Sequence, residues 1–194
     1  ALVADYAGTY VGGVRGWRVR SPGHFAERHG LIVIVALGES IVAIGVGVAQ
    51  SPVSGPIVAA SILGLALSGS LWWAYFDTSA RVAEHALAAA GEERRAALAR
   101  DAYSFLHLPL VAGIVLLALG LKKVLTYVGD PLKGVALAAL VGGVVVFLLG
   151  HVAFQRRTTG RLNRVRLAVA LLLVPLAWLG AALPALATLA LLTV

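Results

Sequence analysis

The stretch HFAERHGLIVIVALGES, residues 24–40, begins with charged side chains and then places one carboxylate, Glu39, after nine apolar or glycine positions. The apolar run continues to Ala49, and about 20 such residues are enough for a helix to cross a hydrocarbon core of about 30 Å. An ionisable group inside a membrane-spanning helix is costly and marks a functional site by default. The stretch therefore predicts a transmembrane helix with a polar site in its middle.

The composition indicates an integral membrane protein. Of the 194 residues, 60% are hydrophobic and only 13% are charged, and the mean hydropathy is +0.91. The net charge of +7 comes from basic residues in short blocks between apolar runs, where membrane topology already requires them, so we do not expect nucleic-acid binding. Cysteine is absent, which excludes disulfides, thiol catalysis and cysteine-bound zinc.

Five complete transmembrane spans are predicted, and all of them are continuously apolar. Such runs favour helices, because outer-membrane strands alternate between apolar and polar positions. The predicted spans are residues 28–49, 57–76, 102–121, 134–154 and 167–192. A shorter apolar segment, residues 1–14, carries Asp5 and is predicted to be the end of a truncated helix. We thus predict an all-α, polytopic bundle, with residues 1–194 as a single domain in the carboxy-terminal half of a longer protein.

The connections between the spans predict the orientation. Alternate connections contain thirteen arginines on one side and three lysines on the other. By the positive-inside rule, the arginine-rich side is cytoplasmic and the C-terminus is extracytoplasmic. The charged, alanine-rich connection near residues 81–103 is predicted to extend the two flanking helices, with a break near Gly91.

Glu39 is predicted to lie near the middle of the membrane. It follows Arg28 by eleven residues, which places it roughly 16 Å deeper and on nearly the same helix face. Beside that face runs a stripe of small residues, Ala36, Ser40, Ala43 and Gly47. Such stripes allow close helix packing, so Glu39 is expected to point into the protein. Two interpretations remain open: a protonated Glu39 that joins two helices, or, as we favour, a proton or cation site.

Other polar residues are expected to gather at the arginine-rich half. His107 lies near the start of the third span, and Pro109 cannot donate to the carbonyl of Phe105. We predict that a hydrated vestibule, lined by His107 and Pro109, connects Arg28 with Glu39. Each member of this group also has an ordinary structural explanation, as a helix-end residue or a polar tip. The predicted site consists of Glu27, Arg28, Glu39, Ser40, Asp77, Asp101, His107 and His151.

The usual motifs of catalysis and cofactor binding are missing. The sequence contains no phosphate-binding GxxxxGK[ST], no HExxH zinc helix and no GxSxG nucleophile elbow. Histidines on separate helices are weak grounds for a metal site. We therefore expect no cofactor, no resident metal and no enzymatic activity.

Three segments carry a family resemblance. HFAERHGLIVIVALGES, WWAYFD and YSFLHLPLVAGIVL resemble, in this order, blocks of the bacterial low temperature requirement A family, in its carboxy-terminal half. The resemblance implies a multi-pass protein of the bacterial inner membrane, and a family name drawn from a growth phenotype. The family's acidic and aromatic amino-terminal block is absent here, so that half of the protein is an expected partner. The positions marked by the resemblance are Glu27, Arg28, Gly30, Gly38, Glu39, Ser40, Asp77, His107 and Pro109.

Three functions from different classes are compatible with these residues. The leading hypothesis is a secondary transporter or channel-like protein for a proton, a cation or a small molecule. In it, Glu39 is the protonatable or cation-binding residue, and Arg28 controls access or is the partner on the anion side. The second is a non-transporting protein of stress response or membrane homeostasis, whose polar cluster holds helices together. The third is an enzyme acting on lipid, with His107 and either Asp101 or Asp77 as acid and base.

The arginine asymmetry predicts the sidedness of the loops. Single cysteines at Arg18, Gly91 and Thr159 should react with a membrane-impermeant thiol reagent only from the cytoplasmic side. Cysteines at Ser54 and Gly129 should react only from outside. Labelling of Gly91→Cys and Gly129→Cys from the same side would show that the predicted number of crossings is wrong.

Overall fold

The fold is a bundle of helices, seen in a computed structural model that describes residues 18–50 and 52–193 with the isolated positions 8, 13 and 14. The helices are α1 (Pro22–Ala49), α2 (Gly55–Phe76), α3 (Ser79–Ala89), α4 (Glu92–Leu98), a π-helix (Ala99–Phe105), α5 (His107–Thr126), α6 (Val135–Thr159), α7 (Arg164–Gly180) and α8 (Ala185–Thr193). The described residues form no β-strand, only an isolated bridge between Pro131 and Pro184. The predicted all-α membrane bundle is confirmed. The predicted helix at residues 1–14 lies outside the described residues, apart from the isolated positions.

Four helical segments of the described chain are long and apolar enough to cross a membrane: Pro22–Ala49, Gly55–Ala89, Glu92–Thr126 and Val135–Thr159. The second and third have 35 residues each, so at 1.5 Å per residue they exceed a hydrocarbon core of about 30 Å. Their extra length is α3 and α4, which meet at Ala90 and Gly91. The predicted helix extensions broken near Gly91 are therefore confirmed.

The prediction of a fifth continuous span, residues 167–192, is wrong. α7 has 17 residues and ends at Gly180, and α8 begins only at Ala185. The chain turns at Pro184, and the Ala185 amide donates to the Asp130 carbonyl at 2.9 Å. Proline and glycine both favour such a break. Hydropathy does not reveal this turn, because the residues on both sides of it are apolar.

The closest helix contact joins α5 and α6, which run antiparallel. A methyl group added to Gly113 would lie 2.6 Å from the Phe147 backbone nitrogen, and one added to Gly120 would lie 2.5 Å from the Leu140 Cα. At the other end, Gly150 lies against the Pro109 ring. The two backbones thus approach each other along the whole pair, as small residues allow in membranes.

α1 and α2 pack beside this pair. Gly47 of α1 lies against the Leu125 side chain of α5, and Gly64 of α2 contacts Ile44 and Leu121. The small residues Ala36, Ser40, Ala43 and Gly47 are all buried in α1. α1 is parallel to α5, so the beginnings of both helices lie at the arginine-rich end of the bundle.

The α5–α6 contact predicts the effect of adding a single methyl group. In Gly143→Ala the new Cβ would lie 2.5 Å from the Leu117 backbone nitrogen, so the helices must separate. We expect the free energy of unfolding to fall by about 1–3 kcal/mol, measured as thermal or denaturant stability in detergent. Gly142→Ala is the matched control, because nothing lies within 4 Å of a methyl group there. Equal stability of the two variants would contradict this helix contact.

Candidate functional site

The centre of the candidate site is the imidazole of His107, at the first residue of α5. Its Nδ1 lies 3.1 Å from the Ala102 carbonyl oxygen, and its Nε2 lies 2.8 Å from the Tyr75 hydroxyl. A carbonyl can only accept, so the Nδ1–H donates to Ala102 and the Nε2 accepts the Tyr75 hydroxyl proton. His107 is 4% exposed and Tyr75 is 1% exposed, so this hydrogen-bond chain is shielded from lipid and from bulk solvent.

The π-helix creates the acceptor for His107. In this wider turn the Leu106 amide donates to the Asp101 carbonyl, five residues back, at 3.0 Å. The Ala102 carbonyl likewise accepts a hydrogen bond from a group five residues later in the chain, the Nδ1–H of the His107 imidazole. Single π-helical turns of this kind are frequent at functional sites.

Aromatic rings enclose His107 on every element that meets there. The Tyr103 ring stacks on the imidazole at 5.5 Å with an interplanar angle of 12°. Phe154 of α6 approaches edge-on at 5.1 Å, and His29 of α1 lies at 5.2 Å. We call His29, Tyr75, Tyr103, His107 and Phe154 the His107 cluster. It joins α1, α2, the π-helix, α5 and α6.

His151 lies on the other side of Tyr75 and is fully buried. The Tyr75 and His151 ring centroids are 6.2 Å apart. Nη1 of Arg166 lies 3.2 Å from Nδ1 of His151 and 3.3 Å from the Ser79 hydroxyl oxygen. The polar contact of His151 is therefore with an arginine at the start of α7.

The predicted acidic residues lie apart from His107. Asp101 forms ion pairs with Arg100 at 2.7 Å and with Arg157 at 2.9 Å. Asp77 is exposed at the end of α2, and Glu27 is exposed and 3.5 Å from His24. Both nitrogens of His107 are occupied by Tyr75 and Ala102, so neither aspartate is paired with it as the lipid-enzyme hypothesis requires.

The expectation that Glu39 points into the protein is wrong for the described chain. Glu39 is exposed, whereas its neighbour Ser40 is fully buried. Adjacent residues of an α-helix are turned by about 100°, which carries Glu39 past the edge of the buried stripe. Residues 18–50 and 52–193 supply it with no hydrogen bond or ion pair. Ser40 also lacks a hydrogen-bond partner among these residues.

The predicted vestibule between Arg28 and Glu39 is therefore also wrong. Arg28 is exposed on the same outer side of α1 as Glu39. His107, in contrast, lies in the interior of the bundle with its nitrogens bound to Tyr75 and Ala102. The two groups do not face a common space in the described chain.

A different cavity opens next to the His107 cluster. It has a volume of about 210 Å³ and lies between α1, the junction of α2 with α3, and the π-helix. Tyr75 and Tyr103 line it together with the charged residues Glu27, Arg81 and Glu84. The buried Tyr103 hydroxyl has no hydrogen-bond partner among the described residues.

Several of these groups were missed from the sequence. Tyr75, Tyr103 and His29 were not among the predicted site residues, and Arg166 counted only toward the topology. The unusual density of aromatic and histidine residues near the ends of the apolar runs was the available signal. This signal did not predict which side chains are hydrogen-bonded to each other, because the partners of His107 depend on the π-helix.

The family model described as bacterial low temperature requirement A protein (LtrA) matches residues 1–194. The chain belongs to this family. The resemblance drawn from the three sequence blocks is thus confirmed, and with it an integral membrane protein.

A relative from Rhizobium meliloti (strain 1021), named uncharacterized protein RA0937, is 33% identical over 141 residues. That alignment covers 69% of this chain and 32% of the relative. The chain thus spans about a third of the length of this relative. No solved structure matches the chain. Among the described residues, no group of three histidine, aspartate or glutamate side chains is arranged to hold a metal ion.

Two buried tyrosines form a matched pair for testing the His107 hydrogen bond. Tyr75→Phe leaves the Nε2 of His107 buried without a donor, so the free energy of unfolding should fall by about 1–3 kcal/mol. Tyr103→Phe removes a hydroxyl that has no partner among the described residues and should cost much less. Denaturation of both variants in detergent measures the difference, and a larger loss in Tyr103→Phe would contradict the assigned hydrogen bonds.

Proposed function

We propose that this LtrA-family protein transports protons or small cations, and that the cavity beside the His107 cluster is its binding site at the cytoplasmic side. The observation that carries this function is the buried Tyr75–His107 hydrogen bond, 2.8 Å long, whose tyrosine lines a cavity that also contains Glu27 and Glu84. These two carboxylates outnumber the one guanidinium of Arg81 in the lining, and a net negative lining attracts cations and raises their local concentration.

The chemistry of a proton at this site follows from the hydrogen bonds. Tyr75 can accept a proton from cavity water while it passes its own hydroxyl proton to Nε2 of His107. The opposite nitrogen, Nδ1, already donates to the Ala102 carbonyl, which cannot carry a proton onward. A proton loaded on His107 therefore returns through Tyr75 unless the imidazole moves. His107 is thus a loading site whose release requires a conformational change, as expected of a transporter more than of an open proton wire.

Glu39 has a separate place in this proposal. A carboxylate exposed to hydrocarbon costs about 2.5–3.5 kcal/mol or more, and Glu39 has no partner within the described chain. We infer that the amino-terminal half of the same protein covers this side of α1, since the chain corresponds to about a third of the Rhizobium meliloti relative. Glu39 would then lie in a path between the two halves, with Arg28 at its cytoplasmic end.

A non-transporting membrane protein is the alternative that one observation favours. Both nitrogens of His107 are satisfied by the protein, and five aromatic rings pack together around a helix junction. A purely structural cluster would have the same features. In that case His107 stays neutral and serves to hold α2 to α5.

His107→Gln separates these functions. A glutamine amide can donate to Ala102 and accept from Tyr75, but it cannot take up a proton. In liposomes with the full-length protein and a pH-sensitive dye, we expect proton or cation-coupled flux in the wild type and only the empty-liposome level in His107→Gln. His85→Gln is the control, because His85 is exposed on α3.

Flux at the empty-liposome level in the wild type would support the non-transporting alternative, and wild-type flux in His107→Gln would remove His107 from the pathway. Glu39→Gln, measured in the same liposomes, tests the second part of the path. Loss of flux with normal folding is expected if the carboxylate must ionise. Normal flux across pH in Glu39→Gln would remove Glu39 from the pathway.

A further inference from the structure

A second cavity, separate from the His107 cluster, lies at the arginine-rich end of the bundle. Its volume is about 500 Å³, and it is bounded by the start of α3, the end of α6 and the connection to α7. Six of the eight described residues that line it have polar side chains, one of them a guanidinium. These polar residues are Thr78, Ser79, Gln155, Thr159, Asn163 and Arg161.

The charge around this cavity is positive and largely unbalanced. No carboxylate lines it among the described residues. Of the five arginines between residues 156 and 166, the ion pairs of the described chain include only Arg157, which binds Asp101. Arg166 donates instead to the neutral Ser79 and His151, and Asp77 is near it without forming an ion pair. An anion is therefore the complementary occupant.

Two helix beginnings add to this preference. α3 starts at Ser79 and α7 starts at Arg164, and both are next to the cavity. The side chain of Asn163 caps α7 by accepting from the Arg166 amide at 3.1 Å. The positive ends of helix dipoles favour anions such as phosphate.

The rim of the cavity is apolar toward the outside of the bundle. Val82 is 47% exposed and Leu162 is 42% exposed, and both line the cavity. We propose that this cavity binds the phosphate group of an anionic phospholipid, whose acyl chains pass over Val82 and Leu162. The hydroxyls of Thr78 and Thr159 already donate to the Asp77 carboxylate at 3.3 Å and to the Gln155 carbonyl at 2.7 Å. The guanidinium of Arg161 therefore makes the contact with the phosphate. Basic pockets at the cytoplasmic ends of transmembrane helices have the charge and position that such headgroups need.

A soluble phosphate compound has the same recognition chemistry, and two measurements distinguish the sources. The full-length protein is incorporated into nanodiscs of phosphatidylcholine with or without phosphatidylglycerol, and the lipid retained after gentle release is measured by native mass spectrometry. Thermal stability of the detergent-purified protein with inorganic phosphate tests the soluble source. Retained phosphatidylglycerol, without a shift by phosphate, is the expected result.

Single arginine substitutions test the position of the site. Arg161→Gln should lower phosphatidylglycerol retention about fivefold, the effect of one basic residue near a membrane surface. Arg156→Gln is the matched control, because Arg156 is exposed on the same end of α6 but does not line the cavity. Equal losses in both variants would show general surface attraction and overturn the site. A shift by phosphate without lipid retention would overturn the lipid as occupant, and no binding of either would overturn the phosphate site.

Discussion

The backbone contact between α5 and α6 determines where the functional groups of this protein lie. Lipid gives no hydrophobic force between helices, so close packing at small residues has to hold them together. Gly113, Gly120 and Gly143 leave no room for a side chain between the two backbones, which fixes their antiparallel register. In that register the start of α5 meets the end of α6, and His107 comes to lie against Phe154.

α1 completes the arrangement because it runs parallel to α5. Gly47 packs on Leu125 at one end of this pair, and His29 lies beside His107 at the other. The same register turns Glu39 to the outside. The packing of α1 thus places His29 on its inner side, in the His107 cluster. The same packing places Glu39 on its outer side, where the described chain gives this carboxylate no partner.

The sequence was sufficient for the membrane fold but not for the site. The bilayer thickness dictates the length of an apolar helix, so hydropathy alone located the four long spans. It could not detect the break before α8, where the flanking residues are apolar. The stripe of small residues was correctly located on the buried side of α1. Glu39 was assigned to the wrong side because the stripe covers a narrower part of the helix circumference than expected. The partners of His107 were missed because a π-helix adds a residue to the turn. The extra residue rotates the following residues, so that they lie on a different face of the helix.

The turn between α2 and α3 lies between the cavity beside the His107 cluster and the proposed phosphate site. On one side Tyr75 binds His107, and four residues later the Ser79 hydroxyl accepts from Gln155 at 2.7 Å and from Arg166. The same hydroxyl donates to the Ala74 carbonyl at 3.4 Å, so a movement of Arg166 acts directly on the turn that carries Tyr75. In the proposed transport, release of a proton from His107 requires the imidazole to move. An occupant of the proposed phosphate site that holds Arg161 and the start of α7 in place would then restrain this turn, through the hydrogen bonds of Ser79.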